Sequence, residues 1–217
     1  KRRNLRGTAA IHYDTAGKTT VESIDAKGNL LESTRRLLKD YKNTPNWNTP
    51  LPDVHLEDEV FTSKMSYDAL NRVTEHLTPD GSLTKPGYNE ANLLETIDVT
   101  QNGATQVFVK DINYDEQGRR TDIRYGNDIR TKYRYDPETF RLLHLQSRKT
   151  TGELLQDLYY TFDPVGNITE IEDQAIPTVF FNGQKIMPTA GYHYDALYRL
   201  IKATGREHIG QNQHGTE

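Results

Sequence analysis

Three groups of residues in this chain have types that could do chemistry. Gly17-Lys18-Thr19 has the ending of a phosphate-binding loop, whose backbone amides and lysine would cradle a nucleotide. That motif needs a glycine five residues earlier, and His12 stands there, so the stretch reads as a turn followed by a strand. The seven histidines are scattered, with no His-Glu-x-x-His arrangement; His12, His193 and His208 read as exposed strand or turn positions, not metal ligands. Carboxylates are plentiful, and a hydrolase pair would need two of them at a defined separation with one pKa raised by burial. Glu57, Asp58 and Glu59 read as a solvated loop, and Glu207-His208 beside Arg206 reads as a salt-bridged strand end. There is no Gly-x-Ser-x-Gly elbow. Asn167-Ile168-Thr169 matches a glycosylation acceptor but is explained by the turn that holds it.

Most of the acids have a different explanation. "YDALNRV" at 67–73 and "YDALYRL" at 194–200 are nearly the same phrase. A catalytic site is built once, whereas a recurring packing problem is solved repeatedly. The phrase has relatives at Tyr13-Asp14, Ile24-Asp25, Tyr88-Asn89, Tyr114-Asp115, Tyr135-Asp136 and Phe162-Asp163. Asp or Asn favours the first position of a type I turn and Gly the fourth. Asp14/Gly17, Asp25/Gly28, Asp115/Gly118 and Asp163/Gly166 have that spacing, and Asp68/Asn71 and Asn89/Asn92 place Asn where Gly would stand. Pro137 and Pro164 preset the first central dihedral. A type I turn followed by a left-handed residue is a common hairpin connection. Each phrase therefore predicts a strand ending in an aromatic, a reversal, and a second strand.

A second set of turn dipeptides lies between the phrases: Asp80-Gly81, Asn102-Gly103, Gly126-Asn127 and Asn182-Gly183. Asp68 to Asn89 and Asp115 to Asp136 are both 21 residues apart, room for two strands of ~7 residues and two turns. In "TKYRYD" Tyr133 and Tyr135 share one face while Lys132 and Arg134 take the other. The exception is 31–62, a non-repeat insertion or loop: "LLESTRRLLKDYK" is compatible with a short helix or a long strand and is read as a strand leading into a helical turn, and Trp47 reads as an anchor for the proline-rich loop. Residues 205–217 read as a frayed tail. The expectation is a mainly all-β chain, an antiparallel meander of hairpins, forming a single repeat segment over 1–217.

Composition agrees. The chain is only 34% hydrophobic with 13 tyrosines, which suits a thin sheet better than a helical bundle. A net charge of −4 with mixed signs gives no signature of a nucleic-acid partner. Without cysteine there are no disulfides or thiolate metal sites. No stretch approaches the ~18 apolar residues of a membrane span, and no signal-peptide pattern opens the sequence. The first residue is not Met, which points to a segment of a longer chain.

These phrases, with "YNEANLLE", "DPVGNI", "YGNDIRTKYRYD" and the closing "YDALYRLIKATGREHIGQ", resemble the Rhs/YD-repeat proteins, and in particular the shell-forming subunits of bacterial insecticidal toxin complexes. The resemblance spans almost the whole chain. It implies a β-strip that is an arc of a hollow shell, with tyrosine rows on its inner face, in a secreted or cell-surface protein. It also implies that the shell encloses a C-terminal toxin effector, so the partners would be the rest of the shell, that effector and other toxin-complex subunits, with no cofactor and no catalysis. The residues that would matter are the repeat turns: Tyr13, Asp14, Gly17, Asp25, Gly28, Tyr67, Asp68, Asn71, Tyr88, Asn89, Asn92, Tyr114, Asp115, Gly118, Tyr135, Asp136, Phe162, Asp163, Gly166, Tyr194 and Asp195. A carbohydrate- or protein-binding repeat module using exposed tyrosines is the alternative.

Overall fold

The computed structural model describes residues 4–5, 7–50, 52–181 and 183–206. The Asn182-Gly183 turn, the Glu207-His208 pair and most of the 205–217 tail therefore fall wholly or partly outside the described residues. The protein is all-β, an antiparallel meander; among the described residues the one helical element is a single 3-10 turn at Pro52–His55. The chain divides into two compact units, 1–108 and 109–217.

The first unit is a ladder in strict chain order. Its strands are β1 (Ile11–Asp14), β2 (Gly17–Ile24), β3 (Leu30–Leu37), β4 (Phe61–Tyr67), β5 (Val73–Leu77), β6 (Leu83–Tyr88), β7 (Leu94–Gln101) and the start of β8 (Ala104–Tyr114). The interval 31–62 begins as strand, since β3 pairs with β2 on one side and β4 on the other. The loop proper starts at Leu38, which bridges back to Leu56. Trp47 fastens that loop: its indole N–H donates to the Asp14 carbonyl at 3.1 Å, and its ring lies 4.8 Å from that of Tyr13.

The second unit repeats the plan with the rest of β8, then β9 (Arg120–Tyr125), β10 (Ile129–Tyr135), β11 (Leu142–Lys149), β12 (Leu154–Phe162), β13 (Ile168–Asp173), β16 (Thr189–Tyr194) and β17 (Leu200–Thr204). A separate hairpin, β14 (Val179–Phe181) with β15 (Gln184–Ile186), is inserted between β13 and β16.

Neither unit has a thick core. Among the described residues the buried apolar side chains are Ile24, Leu38 and Leu56 in the first, and Val109, Ile112 and Ile123 in the second. Such sheets cannot rely on volume of burial, so the turns and cross-strand pairs must set the register. In β10 the alternation is clean: Thr131 is buried, Tyr133 and Tyr135 are half-buried, and Arg130, Lys132 and Arg134 are exposed. Reversals on the rim away from the aromatics use left-handed residues as the dipeptides predict, with Gly81, Asn102 and Gly103 at positive φ. In the Gly126-Asn127 turn the left-handed residue is the next one, Asp128. Gly152 makes a further reversal between β11 and β12.

The Tyr-Asp turns as candidate functional site

Five of the phrases build the same object. In each, the fourth residue donates its amide to the carbonyl of the first, and the first donates to the carbonyl of the fifth. This holds for the turns starting at Asp25, Asp68, Asn89, Asp115 and Asp163, with Gly28, Asn71, Asn92, Gly118 and Gly166 in the left-handed region. The side chain of the first residue does the rest. Asp68 Oδ1 accepts from the amides of Leu70 (2.8 Å) and Arg72 (3.0 Å), while Oδ2 takes Arg72 Nε at 2.6 Å. Asp115 treats Gln117 and Arg119 the same way. Asp25 and Asp163 use Asn29 and Asn167 at the fifth position, and Asn89 caps Ala91 and Leu93 as a neutral group. The turn satisfies its own amides, which is why Asp or Asn must open it.

A β-bulge lies immediately inside the residue that precedes each of these turns, for example between Ser66 and Tyr67, Gly87 and Tyr88, and Thr161 and Phe162, and the Asp136 and Asp195 turns have one too. Bulges re-aim a side chain. Here they send the aromatic toward the preceding repeat. Tyr88 donates its hydroxyl to the Val73 carbonyl (2.9 Å), Tyr135 to Arg120 (3.0 Å) and Tyr194 to Ile168 (2.9 Å). In every case the acceptor stands five residues after the opening Asp of the earlier turn. Tyr is used because its ring half-buries while its hydroxyl still reaches a partner.

The residue that follows the left-handed one completes the link. The Arg72 guanidinium lies 4.6 Å from the Tyr88 ring centre and donates to Asn92 Oδ1 at 2.8 Å. Arg119 lies 4.5 Å from the Tyr135 ring and donates to the Phe140 carbonyl. Arg141 stacks on Phe162 and donates to the carbonyls of Asp163 and Pro164. Asn29 reaches Asn71 Oδ1 at 2.9 Å. Within each unit successive turns are therefore tied along one rim by hydrogen bonds and cation–π contacts. Sequence reasoning missed these partners, although the signal was present: Arg follows Asp by four residues in "DALNR", "DEQGR" and "DALYR".

Three turns depart from the pattern. Asp14 and Gly17 face each other across a two-residue reversal, and Asp14 is additionally gripped by Arg35 (2.7 Å). The Asp136 turn is one residue longer, with Phe140 left-handed in place of a fourth-position residue. The Asp195 turn keeps the hydrogen bonds and the Arg199 ion pair but puts Tyr198 at φ 62°. Tyr67 directs its hydroxyl to Met65 Sδ, Tyr13 to Asp53, and Tyr114 closes β8 beside its turn.

The caps also make the fold sensitive to acid. The Asn29 side chain, and the amides of Arg72 and Arg199, are the main groups holding the carboxyls of Asp25, Asp68 and Asp195 below 3.8. At Asp115 and Asp163 desolvation pushes upward, and the fifth-position amide and side chain together outweigh it. On the other rim Asp80 is pulled down to about 2 by the Thr78 and Ser82 hydroxyls. A folded pKa below the unfolded one stabilises above the unfolded value, and that stability is lost as pH falls through the folded value. Melting temperature is thus expected to hold steady down to about pH 5 and then fall steeply toward pH 2. Asp68→Asn should melt lower than the parent at neutral pH but lose less on acidification; an unchanged melting point down to about pH 2 would contradict the cap assignment.

The residues first considered for chemistry have structural work. Lys18 Nζ pairs with Asp53 at 2.7 Å and is not free for a phosphate. His144, stacked on Tyr159 at 4.2 Å between centres, meets Asp157 at 2.5 Å. Among the described residues no group of three or more His, Cys, Asp or Glu is placed to hold a metal. A cavity of about 300 Å³ is lined by Leu38, Asp40, Pro45 and His55, and Asp40 is capped by Asn43 and the Lys42 amide.

Similarity to known proteins extends along nearly the whole chain. No family model matches the chain. Toxin subunit YenC2 of Yersinia entomophaga is 32% identical over 229 aligned residues, covering all of this chain and 24% of YenC2. YenC1 of the same organism is 32% identical, covering 95% of the chain and 22% of YenC1. The crystal structure of TcdB2-TccC3 superposes with a TM-score of 0.75 at 36% identity, over 94% of this chain and 10% of that one. The Photorhabdus luminescens Tc holotoxin pore gives 0.76 at 36% identity, with the same coverage. The chain spans about a quarter of the length of the curated relatives it matches. Over its length the chain is a segment homologous to bacterial toxin-complex subunits, in keeping with the resemblance of its turns to the Rhs/YD-repeat proteins.

Proposed function

We propose that this segment is a stretch of wall in a YD-repeat shell that encloses a C-terminal toxin effector, within a secreted or surface-delivered toxin complex, and that its role is mechanical, not catalytic. The observation that carries the reading is the rim: successive turns are tied to one another by Tyr, Asp and Arg within ladders that, among the described residues, bury only six apolar side chains. A sheet one strand thick with its reversals tied together suits a partition better than it suits a site. The homologous toxin subunits are longer, as a shell built of many such stretches requires. The alternative binding module needs the repeat tyrosines free for a ligand, whereas Tyr88, Tyr135 and Tyr194 commit their hydroxyls to neighbouring strands.

Limited proteolysis of the full-length parent tests this. The region downstream of the repeats should survive protease concentrations that digest the same region expressed alone, and combined Asp68→Ala and Asp115→Ala should expose it. Equal cleavage of that region in both settings would overturn the enclosure reading.

A further inference from the structure

One face of the second unit breaks a rule that the rest of the chain keeps. In the first unit every lysine or arginine on a described strand has a carboxylate partner: Lys18, Arg35, Arg36, Lys64 and Lys85. In the second unit Arg124 of β9 stands directly opposite Arg130 of β10, which stands opposite Arg148 of β11. Like charges placed opposite each other across strands are destabilising. The acids on this face nearest to β10 are already used. Asp111 holds Arg124 at 3.1 Å, Asp122 holds Arg130 at 2.7 Å, and Asp157 holds His144. Lys132 and Arg134, which follow Arg130 at alternate positions and are exposed, carry no ion pair among the described residues. Arg148 has only the Gly152 carbonyl. Charge that mixes along the sequence is thus segregated by the register into a cationic strip along β10.

We infer that this strip is a docking surface for an extended acidic polypeptide segment with carboxylates at alternate residues, laid along β10 over Arg130, Lys132 and Arg134. Alternate side chains of an extended chain are ~6.7 Å apart, the same repeat as the three cations, so the two rows stay in register. Guanidinium groups grip carboxylates through paired hydrogen bonds. Glu170 and Glu172 on β13 lie on the same face, three strands from β10, and bound the strip on that side. That boundary would repel a nucleic-acid backbone, whose charge is continuous, but leaves room for one narrow chain. The inference rests on the strand register and is independent of what the shell encloses.

The test is a fluorescence-anisotropy titration of the full chain with a labelled Ser-Glu-Ser-Glu-Ser-Glu-Ser peptide. Binding should weaken as salt is raised from about 50 to about 300 mM. Each exposed pair is weak, so removing two together in Lys132→Gln/Arg134→Gln should weaken binding by about tenfold with an unchanged melting temperature. Lys64→Gln, in the first unit, should leave binding unaltered. A peptide with its three Glu contiguous should bind several-fold more weakly. No salt-sensitive binding by the parent chain, undiminished binding by the double variant, or equal or tighter binding of the contiguous peptide or of single-stranded DNA would each overturn the inference.

Discussion

Gly17→Ala is expected to destabilise the first unit by about 3 kcal/mol, from backbone strain and overpacking together. Gly17 opens β2, is buried, and is paired with Asp14 of β1 and Leu37 of β3, so three strands meet there. Its φ of 144° lies in a region that residues with a Cβ avoid, and an added Cβ would run into the Arg36 carbonyl oxygen and lie 3.1 Å from the Leu37 Cα. Those are backbone atoms that cannot swing aside. At roughly 2–4 °C per kcal/mol for a chain of this size, the melting temperature should fall by roughly 6–12 °C. Gly28 is the control: its φ of 93° is also left-handed, but nothing lies within 4 Å of an added Cβ. Gly28→Ala should therefore cost only the dihedral, about 1–2 kcal/mol. Equal losses in the two variants would show that close packing at Gly17 is unimportant.

Ile123→Ala should cost the second unit about 3 kcal/mol, from lost transfer free energy plus the cavity left behind. Ile123 is 3% exposed and faces Ile112 across β8 and β9; with Val109 these are the unit's buried aliphatic residues among those described. With so little core, no neighbouring apolar layer can collapse to refill the space. Leu155→Ala, at a site 36% exposed, is expected to cost less than about 1 kcal/mol. Urea unfolding followed by far-ultraviolet circular dichroism distinguishes the two, and a loss at Ile123 no larger than at Leu155 would mean that burial does not anchor this ladder.

The parts of the fold that were legible in the sequence are those written by local chemistry. The spacing of Asp115 and Gly118 states a turn without reference to anything distant, because the carboxylate caps amides two and four residues on and only the left-handed residue closes the reversal. Where that spacing changes, the register changes with it. Phe140 and Tyr198 occupy left-handed positions that favour Gly or Asn, so neither residue type announces the role. The tie from one turn to the next was harder to read, because Arg72 and Asn92 are 20 residues apart and meet only once two strands have paired. The strand character of 30–37 was ambiguous for the same reason: "LLESTRR" has no alternation of its own, and its pairing with β2 and β4 decides it. The cationic strip is the extreme case. Arg124, Arg130 and Arg148 are spread over 25 residues of a chain of negative net charge, and only the cross-strand register makes them neighbours.

The central claim is that each Tyr-Asp reversal fixes the register of the strands it joins. Because the chain contains no cysteine, paired cysteines can read that register directly. Thr131 of β10 and Ser147 of β11 are cross-strand partners whose hydroxyls are 2.8 Å apart, on either side of the Asp136 turn. Thr131→Cys with Ser147→Cys should close to a disulfide on mild oxidation, since partners at this separation meet its geometric demands. Thr131→Cys with Gln146→Cys should stay reduced, because a shift of one residue puts the second thiol on the opposite face. Crosslinking of the second pair, or failure of the first, would contradict the ladder.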